Sequence, residues 1–473
     1  MFSKIISNRT WLVPVVMLAT AFPVIAPAEG EVPIPQGSRT SLPNIVLLLT
    51  DDQRRDTLKY MPIVQRLLVQ MGVRFDNGYV VNPLCCPSRA SILTGTNSHT
   101  NGVYSNHGPH GGFAAFHDAT TIATVLQEAG YRTGQFGKYF NGYRDTTYVP
   151  PGWDRWFATY DRDSGYYGYT AVSDGDEVQY GSDPADYGQT VLRREAVSFI
   201  EETDASEPLF MYWATHAPHA PAIPEQQDRK AFASLARWRP PSYDEADVGD
   251  KPSHVQARPP IDRATAREID RFRLDQIRSL QSVDRSVGAI VEALRESGRL
   301  ENTIIVFMSD NGMLWGEHRL HGKSEIYEEA IAVPFVVRYD AMIGRARTDQ
   351  HLVLNIDLAP TFADAADVDL PDADGRSLLS LLDSSDVGWR DSFLVEHLRA
   401  GDNTRYAPTF CAVHTDRYVL VRYATGEEEL YDMVRDPHQM ENVAGSARYE
   451  EQRGSLRGRL RALCDPLPPG FSF

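Results

Sequence analysis

Two stretches of the chain carry unbroken runs of apolar side chains and then stop at acids. Asn44-Ile45-Val46-Leu47-Leu48-Leu49 runs into Thr50-Asp51-Asp52, and Thr303-Ile304-Ile305-Val306-Phe307-Met308 runs into Ser309-Asp310-Asn311-Gly312. Such runs predict strands covered on both faces, as in a parallel sheet. Residues 209–213 predict another, ending at Thr215-His216-Ala217-Pro218-His219-Ala220-Pro221, and further strands are expected before Gly137-Lys138 and over 333–338. Between them apolar residues recur at helical spacing. They predict helices over 62–71, 122–129, 187–200 and 267–297; in the last, Ile277, Leu280, Val283, Val287, Ile290 and Leu294 form one stripe ended by Gly298. Shorter helices are expected from Asn355 and over 374–379.

After Trp389 the period changes to short alternating runs at 392–397, 410–414, 418–423 and 429–432, followed by a helix near 449–463. That is the pattern of a small antiparallel sheet. The whole predicts an α/β domain over 41–388, with a mixed, mostly parallel central sheet flanked by helices, and an α+β subdomain over 389–473.

Length and charge narrow the picture. A chain of 473 residues is ample for a large enzyme core. Its formal charge of −17, from 64 acidic and 47 basic residues, argues against nucleic acid as a partner. An anionic substrate would have to be met by a local cluster of basic side chains or a metal. Residues 1–28 read as a secretory signal: Lys4 and Arg9, then an apolar run, then Ala26-Pro27-Ala28. Pro14 and Pro23 interrupt the run, so a stable membrane span is not expected, and export to a periplasmic, extracellular or lysosomal-type space is. Of the four cysteines, Cys411 and Cys464 are the pair expected to form a disulfide, leaving Cys86 free and buried; a Cys85–Cys86 bridge is the competing arrangement.

Ligands in open α/β sheets bind at the carboxyl ends of strands. Asp51 and Asp52 alone suit loop solvation or a helix cap at least as well. A second strand ending in Asp310-Asn311 changes that balance, because four short oxygen-bearing side chains brought together make a site for a hard cation. Lys138, after a strand and a glycine, is a candidate anion ligand. His216 and His219 are fixed by prolines, but no carboxylate or third His nearby in sequence completes a zinc site. The segment 143–186, with Tyr160, Tyr166, Tyr167, Tyr169 and Tyr180, suits stacking on sugar faces and plain loop packing equally. Residues 229–263 are expected to be a charged surface excursion, and the tail from Asp465 to be loose.

The most specific stretch is Cys85-Cys86-Pro87-Ser88-Arg89, followed by Ala90-Ser91-Ile92-Leu93-Thr94-Gly95. Pro87 suits an early helical position, which would set Cys85 at the positive end of a helix beside Arg89, a setting that stabilises an anion or an oxygen nucleophile. This stretch resembles the Cys-x-Pro-Ser-Arg signature of the type I sulfatases, and Cys86 at the x position is most similar to the N-acetylglucosamine-6-sulfatase branch. The resemblance extends from about residue 44 to 444. It takes in Asp51-Asp52, Gly137-Lys138, Pro218-His219-Ala220-Pro221, Ser309-Asp310-Asn311-Gly312, Gly322-Lys323 and Leu430-Tyr431-Asp432 with Asp436-Pro437.

The resemblance implies an alkaline-phosphatase-like fold and hydrolysis of sulfate monoesters, on sulfated carbohydrates of glycosaminoglycan or other polysaccharide type, or on aryl sulfates. It implies that a maturation enzyme oxidises Cys85 to formylglycine, whose hydrate attacks sulfur with one hydroxyl and expels sulfate with the other. Asp51, Asp52, Asp310 and Asn311 would bind Ca²⁺ with residue 85, Mg²⁺ being less suited. Arg89 would hold the hydrated aldehyde, Lys138 and Lys323 the sulfate, and His219 would be the acid. His216 and Asn141 complete the implied substrate-binding set. Two positions depart from the family pattern: Phe140 stands where many members have the His thought to assist sulfate release, and Ala332 where many have Arg. Asn141 can hydrogen-bond but cannot take that proton. Substrate choice is expected from the Tyr-rich segment, Arg54-Arg55 and residues 318–323. The alternatives are a phosphonate or phosphate ester hydrolase of the same fold and a non-catalytic binder of sulfated glycans.

Overall fold

A computed structural model describes residues 42–384, 387–399 and 407–473, together with Leu12 and Pro14. The expected signal segment, those two residues apart, lies outside the described residues. Strand β1 (Asn44–Thr50) is buried along its whole length. It shares its sheet with β2 (Val73–Phe75), β3 (Arg132–Lys138), β4 (Arg155–Thr159), β5 (Thr170–Ser173), β6 (Asp176–Gln179), β7 (Leu209–Ala214), β8 (Thr303–Ser309), β9 (Phe335–Arg338) and β10 (Arg347–Asp349), in the order β10-β2-β9-β8-β1-β7-β3-β4-β5-β6. The five strands β8, β1, β7, β3 and β4 are parallel. Thr50 stands level with Ser309, so the acids after β1 and β8 emerge side by side.

Alternation along β1 explains the layers. Ile45, Leu47 and Leu49 face a core shared with α1 (Cys85–Thr94), α2 (Ile122–Glu128) and a helix at Leu358–Ala365. Val46 and Leu48 face the opposite core, covered by α3 (Gly188–Glu202) and α4 (Arg263–Glu296). Each buried Leu or Ile contributes roughly 1.5–3 kcal/mol, so the strands rather than the loops set where the acids stand. Helix α4 starts earlier than its apolar stripe, because Asp262 caps it by accepting from Ala264 N and Thr265 N.

A second sheet holds β11 (Ser392–His397), β12 (Phe410–Thr415), β13 (Tyr418–Tyr423) and β14 (Glu428–Asp432), all antiparallel, with α5 (Glu450–Leu463) against it. Phe393, Val395 and Phe410 from this sheet share a core with Tyr79, Val81 and Leu352, and residues 42–473 form one compact unit. The Cys411–Cys464 disulfide is formed and both Cys85 and Cys86 are free thiols, so the adjacent-cysteine bridge is not made.

Several expectations need correction. The helix expected over 62–71 begins as one α-turn at Pro62–Val64 and continues as a wider π-turn, Gln65–Val69. The short helix expected over 374–379 lies instead at Leu379–Asp383. Residues 229–263 are not merely a surface excursion: Glu245, Val248, Lys251 and Val255 are buried, with Lys251 paired to Glu245 at 3.2 Å. The tail buries Phe471 in the C-terminal core. Among the described residues no helix is long and apolar enough to cross a membrane.

Candidate active site

Four neighbouring parallel strands deliver the candidate groups at their carboxyl ends. β8 ends at Asp310-Asn311, β1 at Asp51-Asp52, β7 leads to His216 and His219, and β3 ends in Lys138. Helix α1 brings Cys85 at its first position, as the Pro87 reading required, and a short hairpin of Leu314–Trp315 and His321–Gly322 brings Lys323. One oxygen or sulfur atom from each of Asp51, Asp52, Cys85 and Asp310 lies within 4.8 Å of the others, and all four residues are buried.

The thiol of Cys85 lies 3.4 Å from Asp51 Oδ1 and accepts from Lys323 Nζ at 2.7 Å. Lys138 is ion-paired with Asp51 and Lys323 with Asp52. Arg89 is fully buried among the acids. Its Nε donates to Asp310 Oδ2 at 2.9 Å and one terminal nitrogen to the Lys138 carbonyl at 2.7 Å; the other terminal nitrogen lies 3.7 Å from Asp51 without a hydrogen-bond acceptor among the described residues. Asn311 donates to Asp52 Oδ1 at 2.7 Å, while its own Oδ1 is buried with no partner among the described residues.

Burial opposes ionisation throughout this cluster, and charge decides the outcome group by group. At Asp51, Lys138, His219, Arg89 and Lys323 outweigh burial and hold the carboxyl well below the usual carboxylate range. At Asp310, burial and the adjacent Asp51 carboxylate push the carboxyl up. Lys138 and Lys323 remain cations, because Asp51 and Asp52 respectively overcome burial. Burial, with Asp51 close by, pushes the Cys85 thiol up, so the helix terminus does not make it a thiolate at neutral pH.

The two histidines differ. His216 is buried, its Nε2 lies 2.6 Å from Thr159 Oγ1, and burial with Lys138 nearby pulls its pKa down to about 3. A side chain on Gly165 would meet this ring at 2.2 Å, so the glycine packs directly against it. His219 is part-exposed, its Nδ1 lies 2.8 Å from the Ala220 carbonyl, and its Nε2 lies 3.7 Å from Asp52 Oδ2. A carbonyl only accepts, so Nδ1 carries a hydrogen and Nε2 is the nitrogen that can exchange a proton at the centre. Asn141 turns away from residue 85: its Oδ1 and its backbone N both contact Cys86 Sγ, at 3.2 and 3.1 Å. Phe140 is buried and stacked on Phe116.

Comparison with known proteins agrees with this geometry. Residues 43–368 match the Sulfatase family, and residues 316–465 match N-sulphoglucosamine sulphohydrolase, C-terminal. The chain belongs to the sulfatase family. It is 32% identical over 470 residues to the human N-acetylglucosamine-6-sulfatase, covering 90% of this chain and 85% of that protein. It is 36% identical over 375 residues to the extracellular sulfatase SULF-1 homolog of Drosophila melanogaster, covering 76% of this chain but only 33% of that protein, so the chain spans about a third of that relative's length. A solved structure of a protein in complex with its substrate D-glucosamine-2-N,6-O-disulfate has a TM-score of 0.78 at 25% identity, covering 90% of this chain and 98% of that one.

Some residues of this sulfatase centre were not singled out from the sequence. Thr159 fixes His216, and its only signal is its place at the end of a strand beside β3. The tyrosines Tyr160, Tyr166 and Tyr169 are buried rather than presented to a sugar, and Tyr166 donates to the His219 carbonyl at 2.8 Å. Arg54 is buried on Trp315 and Glu317, so of the Arg54-Arg55 pair only Arg55 reaches solvent.

Proposed function

We propose that this sulfatase hydrolyses sulfate monoesters of sulfated carbohydrates, with Cys85 as the precursor of formylglycine and Ca²⁺ bound by Asp51, Asp52, Asp310 and Asn311. The observation that carries the reading is the place of Cys85 Sγ, next to Asp51 and 2.7 Å from Lys323 Nζ, inside the buried cluster of acids. The donor set fits a hard cation: three carboxylates, plus an amide oxygen buried without a partner among the described residues. When bound, the cation would polarise sulfate oxygens and favour ionisation of a residue-85 hydroxyl. Formylglycine would supply, as its hydrate, one hydroxyl to attack and a second to release sulfate; an unmodified thiol, whose pKa burial raises, supplies neither.

The side chains then divide the remaining work. Arg89, Lys138 and Lys323 balance Asp51, Asp52 and Asp310, so a bound divalent cation would leave the centre net positive, as an anionic substrate requires. Lys138, from the end of β3, and Lys323, from the hairpin, would hold the sulfuryl oxygens. The Arg89 nitrogen left without an acceptor among the described residues supports a role in holding a hydroxyl on residue 85. His219, with its proton on Nε2, would protonate the departing oxygen. A glycosaminoglycan-type substrate is supported by the names of the relatives, among them the human N-acetylglucosamine-6-sulfatase, and by the aminosugar disulfate bound in the similar solved structure. Export is supported by the pattern of residues 1–28 and by the extracellular naming of the Drosophila relative.

The test is the mass of the tryptic peptide 75–89 from the native source, paired with hydrolysis of matched aryl sulfate and aryl phosphate. Conversion of Cys85 to an aldehyde with preference for sulfate is expected. Loss of preference for sulfate would favour a phosphate or phosphonate ester hydrolase, and an unmodified, inactive protein would point to a glycan binder.

A further inference from the structure

A buried chain of hydrogen bonds outside the reacting centre joins three of its loops. Arg54, two residues after Asp52, donates to Glu317 Oε1 at 2.8 Å, and Trp238 Nε1 donates to the same oxygen at 2.6 Å. Glu317 Oε2 accepts from the backbone N of Trp315 at 2.5 Å. The Trp315 indole donates to Gln276 Oε1 at 2.6 Å, and Gln276 Nε2 donates to the Pro218 carbonyl at 3.2 Å. Pro218 immediately precedes His219. Arg54, Gln276, Trp315 and Glu317 are all at most 4% exposed.

We propose that Gln276 is a positioning residue for His219, tying the loop that carries the acid to the hairpin that carries Lys323. The inference rests on the reading of His219 as the acid. The amide at position 276 serves both ends, because its oxygen accepts from an indole N–H while its nitrogen donates to a carbonyl. Helix α4, anchored by Leu280, Val283 and Val287 in the core, holds that amide still. Arg54 and Glu317 fix the hairpin at the other end, with the Arg54 guanidinium 4.2 Å from the Trp315 ring centroid. Gln276 thus joins the Pro218 end of the His219 loop to a frame shared with Asp52 and Lys323. A displacement of about 1 Å at such a place costs far more in rate than in fold.

Leaving-group dependence tests the proposal. A nitrophenolate leaves sulfur without needing a proton, whereas the alkoxide of a hexosamine 6-sulfate needs one, so misplacing the acid slows the second substrate selectively. On the matured enzyme, His219→Ala sets the benchmark for the ratio of kcat on nitrophenyl sulfate to kcat on the hexosamine sulfate. Gln276→Met is expected to lower kcat on the hexosamine sulfate by about 10-fold or more and to raise that ratio toward the benchmark, with KM little changed. Trp315→Phe, which removes the indole donor and keeps an aromatic ring, is expected to shift the ratio in the same direction and keeps the test open if Gln276→Met fails to fold. A lowered melting temperature with the wild-type ratio in both variants would show a structural role and overturn the proposal. If His219→Ala itself leaves the ratio unchanged, the acid assignment falls and takes the relay with it. If His219→Ala shifts it and both other variants do not, the relay alone fails.

Discussion

Lys323 Nζ lies 2.7 Å from Cys85 Sγ while also pairing with Asp52, so one cation bridges the buried thiol and a carboxylate of the acid cluster. The bridge spans 238 positions of sequence and closes because the hairpin before Lys323 is fastened at Trp315 and Glu317. Under the proposed function, this positive charge stands where a sulfuryl oxygen would gather negative charge in the transition state.

Removing that charge should therefore slow turnover more than it weakens the fold. Lys323→Ala is expected to lower kcat/KM by about 10²–10³, and Lys323→Arg to restore little of it, because a planar guanidinium cannot replace a point charge between a carboxylate and residue 85. Steady-state kinetics would be read alongside the mass of peptide 75–89. A fully modified variant with wild-type kcat/KM would remove Lys323 from the mechanism.

The acid cluster leads to a second expectation. Asp310 carries a carboxyl pushed up by burial and by Asp51, and a divalent cation would relieve that repulsion. Chelation should abolish activity and lower the melting temperature, and Ca²⁺ should restore both. Saturation at 100 times Kd corresponds to about 2.7 kcal/mol of stabilisation. Asp310→Asn should shift the Ca²⁺ midpoint of that thermal response upward by about 10-fold or more, since ligand charge sets Ca²⁺ affinity. A melting curve indifferent to chelator and to Ca²⁺ would contradict the assignment.

The parts of this site that could be read from the sequence are those where a strand ends. An apolar run that stops at Asp51-Asp52 or Asp310-Asn311 announces both the strand and its exposed end, and the parallel register of Thr50 with Ser309 does the rest. Residues that act from the side carry no such mark. Gln276 sits beside Ile277 on the buried stripe of α4, and a polar residue there was the one available signal. Tyrosines mislead for a related reason: an aromatic among polar residues looks like a sugar platform, yet Tyr166 buries its ring and spends its hydroxyl on the His219 carbonyl. Charge misleads likewise in 229–263, where Glu245 and Lys251 pair with each other inside the fold.

Stability of the C-terminal sheet should depend on the Cys411–Cys464 bond, which joins β12 to the end of α5 and closes a separation of 53 residues. Replacing both cysteines by Ala should cost roughly 2–4 kcal/mol, measured by chemical denaturation. Activity well below the melting temperature should persist, because both residues lie in the core between that sheet and α5. An unchanged denaturation midpoint would show that the bond adds no net stability.

Acid sensitivity should come in part from His397, the last residue of β11, which is 1% exposed with neither ring nitrogen hydrogen-bonded among the described residues. Burial, reinforced by Arg399 and His254, pulls its pKa from 6.5 to about 3. The sign follows from proton counting: between those values the unfolded chain binds a proton that the folded ring refuses. The stabilising contribution is therefore complete above about pH 6.5 and is lost progressively as pH falls toward 3. At about pH 5 the loss would be about 2 kcal/mol. His397→Leu removes the titrating ring from an already apolar site beside Phe410, so its melting temperature should fall less than that of the wild type between about pH 7.5 and pH 5. Parallel declines of the two proteins would place the acid sensitivity elsewhere, with the buried carboxylates around Cys85 the next groups to substitute.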